Sequence, residues 1–177
     1  MFSGLFRKDR GKQIARSLYD SLVRSARRSA FYGPDGVEDS VDGRYDMIVL
    51  HAVLVMRRLR EGGDLGRDLA QRVFDVMFDD LDAALREMGT GDLSVGKKIK
   101  EMGEAFYGRA TAYETPLAEG DQAALTQALE RNMFEESTPR PDVCARLAEY
   151  ALASVATLEA QSIDALMVGE DPKFAEA

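Results

Sequence analysis

The sequence predicts an all-α fold, a single compact multi-helix domain with a basic amphipathic N-terminal helix. Three observations carry this expectation. Apolar residues recur at spacings of three and four along most of the chain, and glycine- and proline-rich breakers separate the periodic stretches. No alternating strand pattern of useful length occurs.

The first helix is expected over Gly11–Ala30. Ile14, Ala15, Leu18, Tyr19, Leu22, Val23 and Ala26 fall on one side, and Arg10, Arg16, Arg24, Arg27 and Arg28 on the other, with Phe2, Leu5 and Phe6 ahead. The breaker Gly33-Pro34-Asp35-Gly36 follows. The second helix, Arg44–Arg60, is apolar on nearly every side, which places it at the centre of the core. After Gly62-Gly63, a third helix carries Leu65, Leu69, Val73, Val76, Met77, Leu81, Leu85 and Met88 in helical register, with Asp64 as its expected N-cap and Gly89 as its stop. Gly89-Thr90-Gly91-Asp92 leads to a fourth helix at about 95–112, capped by Asp92 or Ser94, and Thr115-Pro116 is read as a breaker. A fifth spans about 121–134. After Thr138-Pro139-Arg140-Pro141, a sixth runs over about 141–168, with Pro141 in its first turn. The expected organisation is a separable basic arm (1–30), a helical body (31–168) and a frayed acidic tail (169–177).

Composition narrows the function classes. The 177 residues are 45% hydrophobic and 31% charged, which fits a globular chain. One cysteine, Cys144, excludes an intramolecular disulfide, and with the lone His51 it excludes a Cys/His zinc site, which needs about four such ligands. No metal and no cofactor are expected. No stretch approaches the roughly 20 apolar residues of a membrane span, and no apolar leader precedes the first helix. The net charge of −8 is unevenly spread: residues 1–30 carry +6, leaving −14 on the rest. A basic arm on an acidic body predicts one polyanionic contact at one end, not a DNA-binding surface.

One segment is more specific. Residues 73–109 contain Phe-Asp-Asp-Leu-Asp (78–82), Leu-Arg-Glu-Met-Gly-Thr-Gly-Asp (85–92), Lys-Lys-Ile-Lys (97–100) and Ala-Phe-Tyr-Gly-Arg (105–109). Upstream stand Leu50-His51 and Met56-Arg57-Arg58-Leu59-Arg60. Together these resemble the ubiquinol–cytochrome c chaperone family. The chain has no tryptophan, and Val53 stands where mitochondrial relatives commonly place one. With Asp9 and Asp20 in its arm it does not read as a transit peptide, so the resemblance is to a bacterial form. It implies a non-enzymatic chaperone that assists assembly of ubiquinol–cytochrome c reductase, with cytochrome b as client. The implied location is cytoplasmic and peripheral to the inner membrane (the matrix side in a mitochondrion), with a ribosome or small partner protein as possible company.

Candidate client-binding residues are Asp79, Asp80, Asp82, Arg86, Asp92, Lys97, Lys98, Lys100, Tyr107 and Arg109. Asp68, Arg72, Asp75, Asp79, Asp82 and Arg86 share one helix face, where acid-first i,i+4 pairs suit a solvated surface. Asp80 instead falls inside the apolar arc between Val73 and Val76, and needs either a structural partner or a binding role. The three lysines near a helix N-terminus oppose the macrodipole, so local stability does not account for them. Gly-Thr-Gly-Asp-Leu-Ser-Val-Gly-Lys-Lys lacks phosphate-loop spacing. His51 reads as a satisfied core residue, Phe106 as core and Tyr107 as rim. Arg10, Arg16, Arg24, Arg27 and Arg28 are candidates for contact with anionic membrane or ribosome. Two rival readings stand beside the chaperone: an acid–base enzyme using Asp79, Asp80 and Asp82, which lacks a nucleophile motif, and a ribosome or RNA adaptor built on the arginine-rich helix.

Overall fold

The computed structural model describes residues 3–134 and 140–177, with backbone only for residues 3–9 and Leu93. Phe2, Thr138 and Pro139 lie outside the described residues, as do the side chains of Leu5 and Phe6. Seven α-helices are described: α1 (Ser3–Ala26), α2 (Val41–Arg60), α3 (Gly63–Glu87), α4 (Asp92–Glu119), α5 (Gln122–Met133), α6 (Pro141–Ala160) and α7 (Ile163–Met167). A 3₁₀ turn, Ser29–Phe31, follows α1. Among the described residues the β pairing is one isolated bridge, Tyr32 with Val37.

The all-round apolar surface of α2 puts it where expected. Every residue from Asp46 to Met56 is buried, and α1, α3 and α6 pack around it. Ser40 caps its start, its hydroxyl accepting from the Gly43 amide at 3.1 Å. α4 lies on α3 and α5, and α5 on α6. The crossing of α2 into α3 is tight: a Cβ on Gly66 would collide with the Leu59 carbonyl oxygen. Gly89 closes α3 in the left-handed region, with the Thr90 amide donating back to the Leu85 carbonyl at 3.1 Å.

Several local expectations are corrected. The N-cap of α3 is Gly62 rather than Asp64, which sits in the first turn where its charge suits the macrodipole. Gly91 caps α4, and neither Asp92 nor Ser94 does so, because both lie inside the helix. Pro116 does not break α4. It sits one turn from the end, so the helix forgoes one backbone bond and continues to Glu119, where Gly120 turns left-handed. The long C-terminal helix divides at Gln161, whose backbone is extended (ψ 137°).

Neither the 15–26 stretch of α1 nor the C-terminal segment is a free appendage. Ala15, Leu18, Tyr19, Leu22 and Ala26 of α1 belong to the central core, so this stretch packs as part of the body. The tail is not frayed. The Ala175 amide donates to Ser154 Oγ at 3.1 Å, and the Lys173 amide to Gln161 Oε1 at 3.1 Å. The Phe174 ring packs edge-on against His51 at 4.8 Å between centroids. These bonds and the contact of the half-buried Phe174 with the buried His51 offset the entropy of ordering a short segment.

Candidate functional site

The candidate residues divide over three places. The first is the corner between α3 and α4. Arg86 Nε donates to Asp82 at 2.6 Å, the expected i,i+4 pair, and the same guanidinium reaches forward to Asp92 across the Gly89 turn. Lys97 and Lys100 sit on the exposed face of α4, 3.7 Å from Glu101 and 3.6 Å from Glu104 respectively, with Lys98 exposed beside them. Exposed pairs of this kind contribute about 0–1 kcal/mol each, so they leave the surface charged without holding the fold.

Beside that corner lies an aromatic ledge. Phe74 and Phe78, one turn apart on α3, stand 4.5 Å from each other. Phe74 meets Phe106 at 5.1 Å and Tyr107 at 5.3 Å on α4. Phe106 is core, as expected. Tyr107 is 56% exposed, and Phe74 and Phe78 are half-buried. Sequence reasoning singled out Tyr107 but missed Phe74 and Phe78. Their i,i+4 spacing on the apolar side of α3 was the available signal.

The second place is the contact of α1 with α3. Asp80 is not enclosed: its side chain is 51% exposed. It accepts from Arg16 Nη1 and from the Tyr19 hydroxyl, both at 3.2 Å. Burial first, and then the Asp80 charge, push the Tyr19 phenol well above its usual range. Of the two roles open to Asp80, this geometry supplies the structural partner. Asp79, its neighbour, is exposed.

The third place is buried. Arg109 turns inward rather than toward a partner. Its Nη2 donates to the Asn132 carbonyl at 2.8 Å and stands 2.8 Å from Asp46 Oδ1, and its guanidinium lies over the Tyr45 ring. The Tyr45 hydroxyl donates to the Met102 carbonyl at 2.8 Å, a second tie from α2 to α4. Asp46 is 8% exposed. Burial pushes its carboxyl up to about 7, with Arg109 opposing. Asp46 was missed in the sequence, although a carboxylate set directly against the apolar run 47–56 is a visible signal.

His51 is the satisfied core residue expected of it. Nδ1 faces the Met47 carbonyl at 2.8 Å, which can only accept, so that nitrogen carries the proton. Nε2 then accepts from the Tyr150 hydroxyl at 2.8 Å. Burial holds the imidazole down at about 4. Cys144 is buried, and burial pushes its thiol up to about 12, so it is a poor nucleophile. Among the described residues, no three His, Cys, Asp or Glu side chains are grouped to hold a metal ion.

The arginines of the basic helix are partly committed. Arg16 pairs with Asp80, and Arg24 with Asp171 at 3.0 Å. Arg28 donates to the Ala175 carbonyl at 3.0 Å and lies over the Phe31 and Tyr150 rings. Arg10 and Arg27 are exposed.

A helical scaffold with a half-exposed aromatic ledge, a charged corner and its one cysteine and one histidine buried is equipped to bind protein. Residues 35–174 match the family model of the ubiquinol–cytochrome c chaperone, and the chain belongs to that family. The family is one of assembly chaperones, not enzymes. The chain is 22% identical over 160 residues to ubiquinol–cytochrome-c reductase complex assembly factor 1 of Xenopus laevis, covering 90% of this chain and 80% of that one. It is 23% identical over 160 residues to the mouse protein of that name, covering 90% of this chain and 54% of that one. The chain thus spans about half the length of its mouse and human relatives. Among solved structures, the Cbp3 homolog from Brucella abortus superposes with a TM-score of 0.84 at 34% identity, over 99% of this chain and 97% of that one. No described helix is long and apolar enough to cross a membrane.

Proposed function

We propose that this protein assists assembly of ubiquinol–cytochrome c reductase by binding cytochrome b while it matures, with no covalent bond made or broken. The observation that carries the reading is the family match, which spans residues 35–174 and so takes in α2 through α7. The surface we assign to the client is the α3–α4 ledge with Tyr107, flanked by Asp79, Asp82, Asp92, Lys97, Lys98 and Lys100. Exposed aromatic area beside unburied charge suits a segment that is apolar in part and leaves again when assembly proceeds.

The protein works peripherally at the inner membrane in this reading, and Arg10 on α1 and Arg27 just beyond its end are exposed basic side chains available for anionic headgroups. The RNA-adaptor alternative is weakened because Arg16, Arg24 and Arg28 are engaged within the chain.

The test is capture of the tagged full-length protein from gently solubilised membranes, with and without Tyr107→Ala combined with Phe78→Ala. Cytochrome b should copurify with the parent and be lost from a folded double variant. Absence of cytochrome b from the parent capture, with the reductase still assembling in a deletion strain, would overturn the reading.

A further inference from the structure

Residues 171–177 carry no helix or turn and lie in a groove between α6 and the end of α1, with His51 of α2 beneath them. They run back along α6 from Gln161 past Ser154 to Tyr150. The groove grips this segment by its main chain. Gln161 Nε2 donates to the Asp171 carbonyl at 3.0 Å, and Gln161 Oε1 accepts from the Lys173 amide at 3.1 Å. Ser154 Oγ accepts from the Ala175 amide at 3.1 Å, and Arg28 donates to the Ala175 carbonyl at 3.0 Å. Ser154 and Gln161 are buried in the body, where polar groups need partners, and here a peptide backbone supplies them. Bonds to main chain read no side chain. Selectivity falls to the buried Pro172, to the half-buried Phe174 against His51 and to the exposed pair of Asp171 with Arg24.

Two features mark the segment as an exchangeable occupant. It begins after α7 is already capped. The Gly169 and Glu170 amides donate to the Leu166 and Ala165 carbonyls at 3.0 Å each, and Gly169 turns left-handed (φ 95°). The segment can therefore leave without unwinding a helix. It also fills the groove incompletely. The Ala177 methyl borders a cavity of about 120 Å³ to which Phe31, Val143, Leu147 and Tyr150 supply apolar wall. A larger apolar side chain at that position would bury more area there.

We infer that this groove is a docking site for a non-helical segment of a partner polypeptide, and that residues 171–177 occupy it as an internal competitor. The partner segment carries an acid, a proline and an aromatic in the spacing of Asp171, Pro172 and Phe174, with a bulky apolar residue at the place of Ala177. The acid meets Arg24, the aromatic covers His51 and the bulky residue enters the cavity, while Gln161, Ser154 and Arg28 hold the backbone. A basic segment is disfavoured, because Arg24 and Arg28 line the α1 side. The groove is built from other helices than the α3–α4 ledge, and the inference holds whatever the identity of the assembly client.

The experiment follows the imidazole resonances of His51, the single histidine, in the isotopically labelled full-length protein and in its full-length Phe174→Ala variant. The probes are three capped peptides: the sequence of residues 170–177, the same peptide with Phe174→Ala, and the same peptide with Ala177→Leu. The first should bind the variant saturably and return the His51 resonances to their positions in the parent. The parent should bind it at least about tenfold more weakly, since its own segment competes at the high effective concentration of a short tether. The Phe174→Ala peptide should leave His51 unmoved, and the Ala177→Leu peptide should bind about tenfold tighter than the first. In the parent, an excess of the Ala177→Leu peptide should also shift the Lys173 and Ala175 amides as the segment is displaced. Unmoved amides there, no saturable change at His51 in the variant, equal affinity for both proteins, or no gain from Ala177→Leu would overturn the proposal. So would a response to the Phe174→Ala peptide equal to that of the first. A concentration-dependent dimer of the parent that the peptide dissociates, seen by sedimentation, would overturn it too, by assigning the groove to exchange of this segment between two copies.

Discussion

Replacing His51 by glutamine should change how the fold responds to acid more than it changes any surface. The imidazole is fully buried between the Met47 carbonyl and the Tyr150 hydroxyl, with the Phe31 and Phe174 rings edge-on to it. Its folded value of about 4 lies below the ordinary 6.5, so the unfolded chain takes up a proton first as pH falls. Stability from this group is therefore whole above about pH 6.5 and is lost progressively down through about pH 4. At about 1.4 kcal/mol per pH unit, the loss reaches on the order of 2 kcal/mol by about pH 5. Asp46 acts in the opposite sense. Its folded value is raised, so the stability it withholds at neutral pH returns as pH falls through about 7. The two trends offset each other in the parent protein, and removing one exposes the other. Urea unfolding at about pH 7.5 and about pH 5 should show the parent losing on the order of 2 kcal/mol more than His51→Gln across that interval. Because His51 is the single histidine, its imidazole proton resonances report the same quantity directly, and should stay flat down to about pH 5. An imidazole that titrates near its ordinary value, or equal losses in the two proteins, would refute the reasoning.

Arg58→Met should lower stability by on the order of 2–3 kcal/mol, since Arg58 donates to the Leu158 and Gln161 carbonyls at 2.9 and 2.8 Å and so closes the end of α6; thermal unfolding checks it, and a shift within error would remove that role. Asp80→Ala should cost about 1 kcal/mol, through Tyr19 and Arg16, while Asp79→Ala stays within about 0.5 kcal/mol. Loss of cytochrome b capture by Asp80→Ala at unchanged stability would move Asp80 to the binding surface. Deleting residues 1–30 should unfold the body rather than release a soluble core, because Leu18 and Leu22 are fully buried in it; a cooperative melting transition in the truncated protein would contradict this.

Helix existence was legible because each helix buries one stripe, and a stripe leaves its period in the sequence. The position of α2 was legible for the complementary reason: a helix apolar on every side has nowhere to go but the centre. What escaped was decided by partners distant in sequence. The break after Ala160 has no glycine or proline, and Arg58, on α2, donates to the carbonyls there. The docked tail carries Pro172, Phe174 and Ala175 as its few apolar contacts, and its groove is assembled from α1, α2 and α6. Asp80 was placed by an ideal wheel inside the apolar arc. The structure puts it at the edge of that arc, where α1 brings a phenol and a guanidinium to it. The surface candidates fared differently. Tyr107 stands out in the open, whereas Arg109, equally prominent in the sequence, is spent on Asp46.

The polar groups of α2 explain why a helix with so much apolar surface settles in one register. Apolar packing alone is tolerant of sliding and repacking. Here Asp46 meets Arg109 of α4 near one end, His51 meets Tyr150 of α6 in the middle, and Arg58 holds the end of α6 at the other. Shifting α2 by one turn along its axis, about 5.4 Å, would strand all three at once, each at the cost of an unsatisfied buried group. The same three contacts tie α4 and α6 to a common helix, and α4 contributes Tyr107 and the lysines to the outer surface. A chaperone that binds without chemistry depends on holding such a surface in shape. In this fold, one of the side chains that hold α4 in place, Arg109, is turned inward only two residues from the exposed Tyr107.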